Sequence, residues 1–248
     1  MNQNRVIAIA AAAVLAVALL GYGAYRIFGQ RGEAPTGSAI TTADKTAFEK
    51  ELAVPGPLGE MTLGDKSAPV TVYEYASMTC THCAEFAKDT FPEVKKNFVD
   101  TGKVYYVFRE FPFDPVATAA FMLARCAGPD RYFGFIEVLF RSQEQWAFVE
   151  TPMEALKKLA RQGGFSDEKF DACMKDQAIF DHVKTVAQRA AQQFGVRSTP
   201  TFFVNGEKVE GAIPYKDFEE ILNKKLSGEK GEEAPAPSSG PTTPAPGQ

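Results

Sequence analysis

The chain has 248 residues and a formal net charge of −4, with 27 lysines and arginines against 31 aspartates and glutamates. Nucleic acid is excluded as the main partner, because phosphate binding needs a concentrated basic surface. Two histidines and four cysteines leave little material for a metal centre, so cysteine usage is the most informative feature. Both ends differ in composition from the middle, which predicts one folded domain over residues 57–226.

The first segment, residues 1–28, is expected to be a membrane anchor or a signal segment. Twenty uncharged residues lie between Arg5 and Arg26, and a helix of that length spans about 30 Å, enough to cross a bilayer. A retained anchor is favoured over a cleaved signal peptide, because Gly21 to Gly23 forms a poor small-x-small cleavage site. The positive charges on the two sides nearly balance, so they do not fix the orientation.

Two further segments are expected to be flexible. Residues 29–56 are rich in Gly, Pro, Thr and Ala, and are predicted to be a linker. Within them, Thr42 to Val54 has a helix-like pattern with Phe48 and Leu52 four positions apart, so an oligomerising helix is the alternative. Residues 227–248 contain five prolines, four glycines and no large apolar side chain. This composition predicts a disordered tail.

The middle of the chain begins with a short run of β-branched and aromatic residues, Val70 to Ala76, which predicts a buried strand. Thr79 is the predicted N-cap of a helix that begins near Cys80. The elements predicted after it are a strand at Lys103–Phe108, about 80 residues of helices, a hairpin of strands Thr201–Val204 and Lys208–Glu210 around Asn205-Gly206, and a helix at Tyr215–Leu226.

The sequence Cys80-Thr81-His82-Cys83 is the motif that carries chemistry. It places two thiols three positions apart, on one face, at the start of a helix. The N–H groups and the dipole at a helix start favour a thiolate on the first cysteine, and a protonated His82 adds to this effect. A stabilised thiolate is a good leaving group, so the disulfide form is predicted to oxidise other thiols. The alternative is a structural disulfide or half a zinc site, but zinc needs four ligands and the sequence has no second CxxC.

Two motifs, VYEYASMTCTHC at residues 72–83 and GVRSTPTFFVNG at residues 195–206, resemble the DsbA-like branch of the thioredoxin superfamily, thiol:disulfide interchange proteins of the bacterial periplasm. The resemblance spans roughly residues 58–226. It implies an α/β thioredoxin fold with an inserted helical domain, here at about residues 113–194. Cys83 and Pro200 lie 117 positions apart, which leaves room for that insertion.

The resemblance also implies roles for single residues. Cys80 corresponds to the exposed nucleophilic and leaving-group cysteine, and Cys83 to its buried partner. Pro200 corresponds to a cis-proline that faces the disulfide, with an ordinary trans turn proline as the alternative. Thr199 would then approach the sulfurs and pair with an extended substrate backbone. Glu74 corresponds to a buried acid that relays a proton for Cys83; a simple ion-paired strand residue is the other interpretation.

Two positions depart from the pattern of the best-known members. Thr81 stands where they have proline, and Thr199 stands where they often have valine. Threonine before the proline also occurs in isomerase-like relatives. Because both positions border the disulfide, the reduction potential and the substrate preference do not follow from the resemblance.

The remaining cysteines and the second histidine lie in the predicted insertion. In an oxidising compartment an even cysteine count favours pairing, so Cys126 and Cys173 are predicted to form a structural disulfide, with two buried free thiols as the alternative. His182 lies in an amphipathic helix and is predicted to be a surface residue.

The predicted function is a thiol:disulfide oxidoreductase that introduces disulfide bonds into reduced client proteins, without a metal or an organic cofactor. By resemblance, a DsbB-like quinone-linked membrane oxidase would reoxidise it. The domain would face the periplasm, anchored in the inner membrane by the first segment. The alternatives are a disulfide isomerase or reductase, and a thiol-dependent metal-binding or chaperone module.

Overall fold

The computed structural model describes residues 42–228. The predicted anchor, the first part of the predicted linker and residues 229–248 of the predicted tail lie outside this range. Between residues 42 and 228, no helix is long and apolar enough to cross a membrane.

The core of the described chain is a five-stranded mixed sheet, with strand order β1-β3-β2-β4-β5. The strands are β1 Met61–Leu63, β2 Val70–Ala76, β3 Val104–Glu110, β4 Thr201–Val204 and β5 Glu207–Glu210. Strands β2 and β3 are parallel, and the other neighbouring pairs are antiparallel. The bounds predicted for β2 and β4 are confirmed, whereas β1 was not predicted because three residues carry too little pattern.

Helices connect and cover these strands. The α-helices are α1 Thr42–Leu52, α2 Thr81–Glu85, α3 Phe91–Val94, α4 Pro115–Cys126, α5 Pro129–Arg141, α6 Gln143–Trp146, α7 Pro152–Gln162, α8 Asp167–Cys173, α9 Gln177–Gln193 and α10 Tyr215–Leu226. Two π-helical turns, Phe86–Thr90 and Lys95–Val99, flank α3. The helices α4 to α9 all lie between β3 and β4 in the chain. The order agrees with a thioredoxin fold that a helical segment interrupts.

Alternation along the strands divides the core between the two sheet faces. Residues Val70 and Val72 of β2 pack in the larger cluster with Phe86 and Phe218, whereas Tyr75 packs in a smaller cluster on the other face. Glu74 has the same parity as Val70 and Val72 and is only 3% exposed. Its carboxyl group therefore lies within the larger hydrophobic core.

Part of the predicted linker belongs to the folded domain. Leu52 is 1% exposed, and the Phe48 ring lies 5.6 Å from that of Phe203 in β4. Arginines hold the end of α1, because Arg109 Nη2 donates to the Leu52 carbonyl at 2.7 Å and Arg189 Nη1 donates to the Val54 carbonyl at 2.7 Å. The prediction of a flexible linker up to residue 56 is therefore wrong for this stretch. The sequence indicates a linker here because the residues that Phe48 and Leu52 pack against are distant in the sequence.

His182 is the second correction. It is 1% exposed, and its Nδ1 accepts a hydrogen bond from the Leu58 N–H at 2.9 Å. The imidazole proton is thus left on Nε2, which lies 3.6 Å from Glu110 Oε2. Glu110 also pairs with Arg125 at 2.5 Å and accepts from the Tyr132 hydroxyl at 2.9 Å. The surface prediction failed because the apolar stripe of α9 does not reveal a buried polar network at its edge.

Candidate active site

Cys80 lies at the junction between β2 and α2. Its backbone is extended, at φ −84° and ψ 120°, and its own Sγ caps α2 by accepting the Cys83 N–H at 3.4 Å. The predicted N-cap, Thr79, is wrong: its hydroxyl instead donates to Asp114 Oδ2 at 2.5 Å. Sequence reasoning favoured threonine because hydroxyl groups are common caps, but here the reactive sulfur occupies that position.

The Cys83 thiol and the N–H groups at the helix start explain the acidity of Cys80. Hydrogen bonding from the Cys83 side chain lowers the pKa of Cys80 to about 5, and the N–H groups of Cys83 and His82 act in the same direction. Burial opposes this effect without cancelling it. Thr81 and His82, between the two cysteines of the motif, are both exposed. At neutral pH the free Cys80 is therefore a thiolate.

Cys83 has the opposite environment. It is fully buried, and burial raises the pKa of its thiol well above the usual value, with the hydrogen bond and the charge of Cys80 adding to the rise. Both cysteines are free thiols in this structure. The pair therefore divides into one sulfur that is stable as an anion and one that is stable only as a thiol.

Thr199 and Pro200 face the motif from the start of β4. The peptide bond between them is cis, and the Thr199 carbonyl oxygen lies 3.2 Å from Cys80 Sγ, which can donate to it only as a thiol. The loop thus brings backbone next to the reactive sulfur, across 119 positions of sequence.

Glu74 lies beneath the motif on the inner face of β2. Burial raises the pKa of Glu74 to about 8, whereas a hydrogen bond from the Tyr106 hydroxyl to its Oε2 lowers it. Its other oxygen, Oε1, has no hydrogen-bond partner among the described residues. The charge of Glu74 contributes to the raised pKa of Cys83. A carboxyl group that titrates near neutral pH beside a buried thiol can exchange a proton with it.

Three residues at this site were missed by sequence reasoning. Asp114 receives the Thr79 hydroxyl bond and also caps α4, and an Asp-Pro pair before a helical pattern could have indicated it. Tyr106 has the inward parity of its strand, but a tyrosine there is ordinary core material. Gln143 donates to the carbonyl groups of Met78 and Cys80, and nothing in its sequence context indicates this.

The other two cysteines lie in the helical segment between β3 and β4, apart from the CxxC motif in sequence. Cys126 at the end of α4 and Cys173 at the end of α8 form a disulfide, with a Cα–Cα distance of 6.1 Å. The predicted pairing is confirmed. The bond closes a loop across 47 positions of the helical segment.

Comparisons with known proteins agree with this geometry. The family model described as Thioredoxin matches residues 58–224. Among solved structures, alpha-DsbA1 of Wolbachia pipientis has 30% identity and a TM-score of 0.67, with 73% of this chain and 97% of that chain covered. Oxidised BdbD of Bacillus subtilis has 26% identity and a TM-score of 0.60, covering 70% and 96%.

A curated relative from Rickettsia typhi, provisionally named a protein-disulfide oxidoreductase, is 34% identical over 167 residues. The match covers 67% of this chain and 62% of that relative's length. Residues 58–224, which the family model matches, contain the CxxC motif and the proline loop that form the site. The chain therefore belongs to the thioredoxin family, in its DsbA-like branch.

Proposed function

We propose that the protein is a thiol:disulfide oxidoreductase that introduces disulfide bonds into reduced client proteins. The observation that carries this proposal is the asymmetry of the cysteine pair: Cys80 has a pKa of about 5 at a helix start, and Cys83 is a buried thiol with a raised pKa. A stable Cys80 thiolate favours the reduced form of the pair, so the disulfide form takes electrons from clients.

The reaction begins when a client thiolate attacks Cys80 Sγ of the oxidised pair. The Cys80–Cys83 bond breaks, a mixed disulfide with the client forms, and the electron pair goes to Cys83 Sγ. A second client thiolate then attacks the client sulfur of the mixed disulfide and expels Cys80 as a thiolate. One client disulfide is formed, and the enzyme has accepted two electrons.

Glu74 supplies the proton that Cys83 needs in the first step. A buried thiolate is costly in free energy, and Glu74 is largely protonated at neutral pH because burial raises its pKa to about 8. On reoxidation the proton returns by the same route. In this proposal Thr199, beside the cis-proline Pro200, pairs with the extended backbone of the client, and Thr81 and His82 border the path of the incoming thiol.

The enzyme acts in an oxidising, extracytoplasmic compartment, because a dithiol oxidant serves no purpose in a reducing cytoplasm. The Cys126–Cys173 disulfide fits such a compartment. The uncharged segment within residues 1–28 anchors the domain in the inner membrane, and a DsbB-like quinone-linked membrane protein reoxidises it. Fractionation tests the anchor: the chain should stay with washed membranes, and recovery in the soluble fraction as a shortened chain would show cleavage.

The alternative isomerase or reductase function had two supporting features in the sequence, Thr199 and the helix-like stretch at Thr42–Val54. The apolar side chains Phe48 and Leu52 of that stretch pack inside this domain, so they are not available to join two copies. Thr199 remains as its support. A metal-binding function would be tested by Cu(I) titration, with the Cys80→Ser variant as the control.

The direct test is a stoichiometric oxidation assay. The oxidised full-length chain is mixed with a reduced, unfolded protein that has two cysteines, and thiols on both are counted. One client disulfide should form for each Cys80–Cys83 pair that is reduced. The Cys80→Ser and Cys83→Ser variants should both be inactive, because neither can form the Cys80–Cys83 disulfide that accepts the electrons of the client. Client thiols that stay reduced with the wild-type chain would contradict the proposal.

A further inference from the structure

The reactive Cys80 and the two residues before it are held by side chains from the helical segment. Gln143, the first residue of α6, is 3% exposed. Its Nε2 donates to the Met78 carbonyl at 2.8 Å and to the Cys80 carbonyl at 2.9 Å. Between these two residues, the Thr79 hydroxyl donates to Asp114 Oδ2 at 2.5 Å.

The Gln143 amide group matches this position in its chemistry. A primary amide has two N–H donors on one nitrogen, and here both are used on backbone acceptors. A carboxylate of the same length has no donor. An apolar side chain would leave the buried Met78 carbonyl without this partner, and would leave the Cys80 carbonyl with only the Ala84 N–H, which donates to it at 3.2 Å. An unpaired buried carbonyl is costly, so the two bonds restrain the path of the loop.

The restraint bears on the cysteine sulfur through the backbone of Cys80. The Cys80 Sγ caps α2 only while the Cys80 backbone stays extended. The hydrogen bond from Gln143 fixes the orientation of the Cys80 carbonyl group, and that orientation depends on the ψ angle of Cys80. The Cys80 carbonyl also carries negative partial charge on the same residue as the sulfur. An amide hydrogen on its oxygen reduces the repulsion of a thiolate. The orientation of the Cys80 backbone and the electrostatic effect of the amide hydrogen therefore both favour the Cys80 thiolate.

We propose that Gln143 is a positioning residue through which the inserted helices set the redox equilibrium of the Cys80–Cys83 pair. The inference rests on the proposed function, since it concerns the same dithiol. Asp114 supports the same loop from α4, whose first turn it caps by accepting the Ala117 N–H at 2.7 Å. The inserted helices thus act on the reactive loop and do more than cover the sheet.

The test replaces Gln143 with methionine, which has a similar length and no N–H donor. The matched control is Gln145→Met, an exposed glutamine two positions later in the same short helix. For the full-length chain and both variants, we would measure the equilibrium constant with glutathione and the pH midpoint of thiolate absorbance. Gln143→Met should make the pair a roughly tenfold weaker oxidant, about 30 mV in potential, and should raise the thiolate midpoint. Gln145→Met should match the wild type.

A merely structural role for Gln143 would lower thermal stability and leave both redox values unchanged, which would overturn the inference. If Gln143→Met does not fold, Gln143→Asn takes its place in the test. Asparagine keeps the amide group, but its side chain is shorter by one methylene, so the amide lies farther from the two carbonyl groups. The redox values of this variant should shift in the same direction by a smaller amount. If the wild-type chain fails to oxidise clients, the proposed function fails, while the ratio between variant and wild type still decides the role of Gln143.

Discussion

At the scale of single residues, two cysteines of one motif differ because the chain places them differently. Cys80 caps a helix at the edge of the domain, and Cys83 is buried one turn later above a carboxyl group. The CxxC motif and its spacing predicted this pair, and the resemblance to DsbA-like proteins implied the roles of Glu74 and Thr199. The sequence could not predict that the sulfur itself is the cap, or that Gln143 holds the loop, because these contacts depend on distances between segments far apart in the chain.

The acidity of Cys80 leads to a first prediction. In the reduced protein, thiolate absorbance should rise with a midpoint near pH 5, since the helix cap and the Cys83 thiol stabilise the anion. The Cys80→Ser variant should lack this transition. A midpoint close to the ordinary value of 9 would show that the sulfur is not stabilised in this way.

Glu74 leads to a second prediction, measured on the oxidised protein so that Cys80 does not titrate. Burial, the main cause of the rise to about 8, persists in the oxidised protein, whereas the smaller rise from the Cys80 charge is lost, so the folded pKa stays above the ordinary value of 4.5. Folding therefore takes up a proton between the ordinary and the folded pKa, and this group makes stability fall as the pH rises through that window. The Glu74→Gln variant should gain free energy of unfolding over the wild type as the pH increases from about 4.5 to 8.

The exposed Glu85→Gln substitution on α2 is the matched control for this series. It should leave the pH dependence unchanged, because the side chain stays in water. A constant difference between Glu74→Gln and the wild type at all pH values would contradict the raised pKa.

At the scale of elements, strong local patterns were predicted well and docked elements were not. Strands β2 and β4 and helix α10 have the predicted bounds, because β-branched runs and an apolar stripe are local signals. Helix α1 was predicted as part of a linker, because its partners are Phe203, Arg109 and Arg189, all distant in sequence. A short helix with weak amphipathicity depends on such partners for its stability.

Helix α1 should therefore contribute to the stability of the domain. Replacing the buried Leu52 with alanine should lower the free energy of unfolding by about 2 to 5 kcal/mol. The same change at Val54, which is 46% exposed, should have little effect. Denaturant unfolding of both variants checks this. Equal, small effects would mean that α1 is the tether expected from its composition.

The Cys126–Cys173 bond gives a prediction for the helical segment. Changing both cysteines to alanine should lower the free energy of unfolding by about 2 to 4 kcal/mol, because the loop is no longer closed in the unfolded chain. The client oxidation rate of the Cys80–Cys83 pair should stay close to that of the wild type. A large loss of rate in protein that remains folded would show that this disulfide takes part in the exchange.

At the scale of the whole molecule, the thioredoxin sheet supplies the motif, the proline loop and the buried acid, and the inserted helices hold the loop before Cys80. The fold could be predicted because the resemblance to DsbA-like proteins is carried by two motifs and by their order along the chain, which can be recognised without knowledge of contacts. The bonds from Gln143 and Asp114 to this loop could not, since polar pairing between distant segments leaves no pattern in the sequence of either one.

The most direct test of the oxidant function is the equilibrium reduction potential of Cys80–Cys83 in the purified full-length chain, measured against glutathione. Cys126 and Cys173 are followed separately by mass spectrometry. A stabilised Cys80 thiolate predicts a potential above about −180 mV, at which the pair drives disulfides into clients. A potential near or below about −250 mV would contradict this function and indicate a reductase instead.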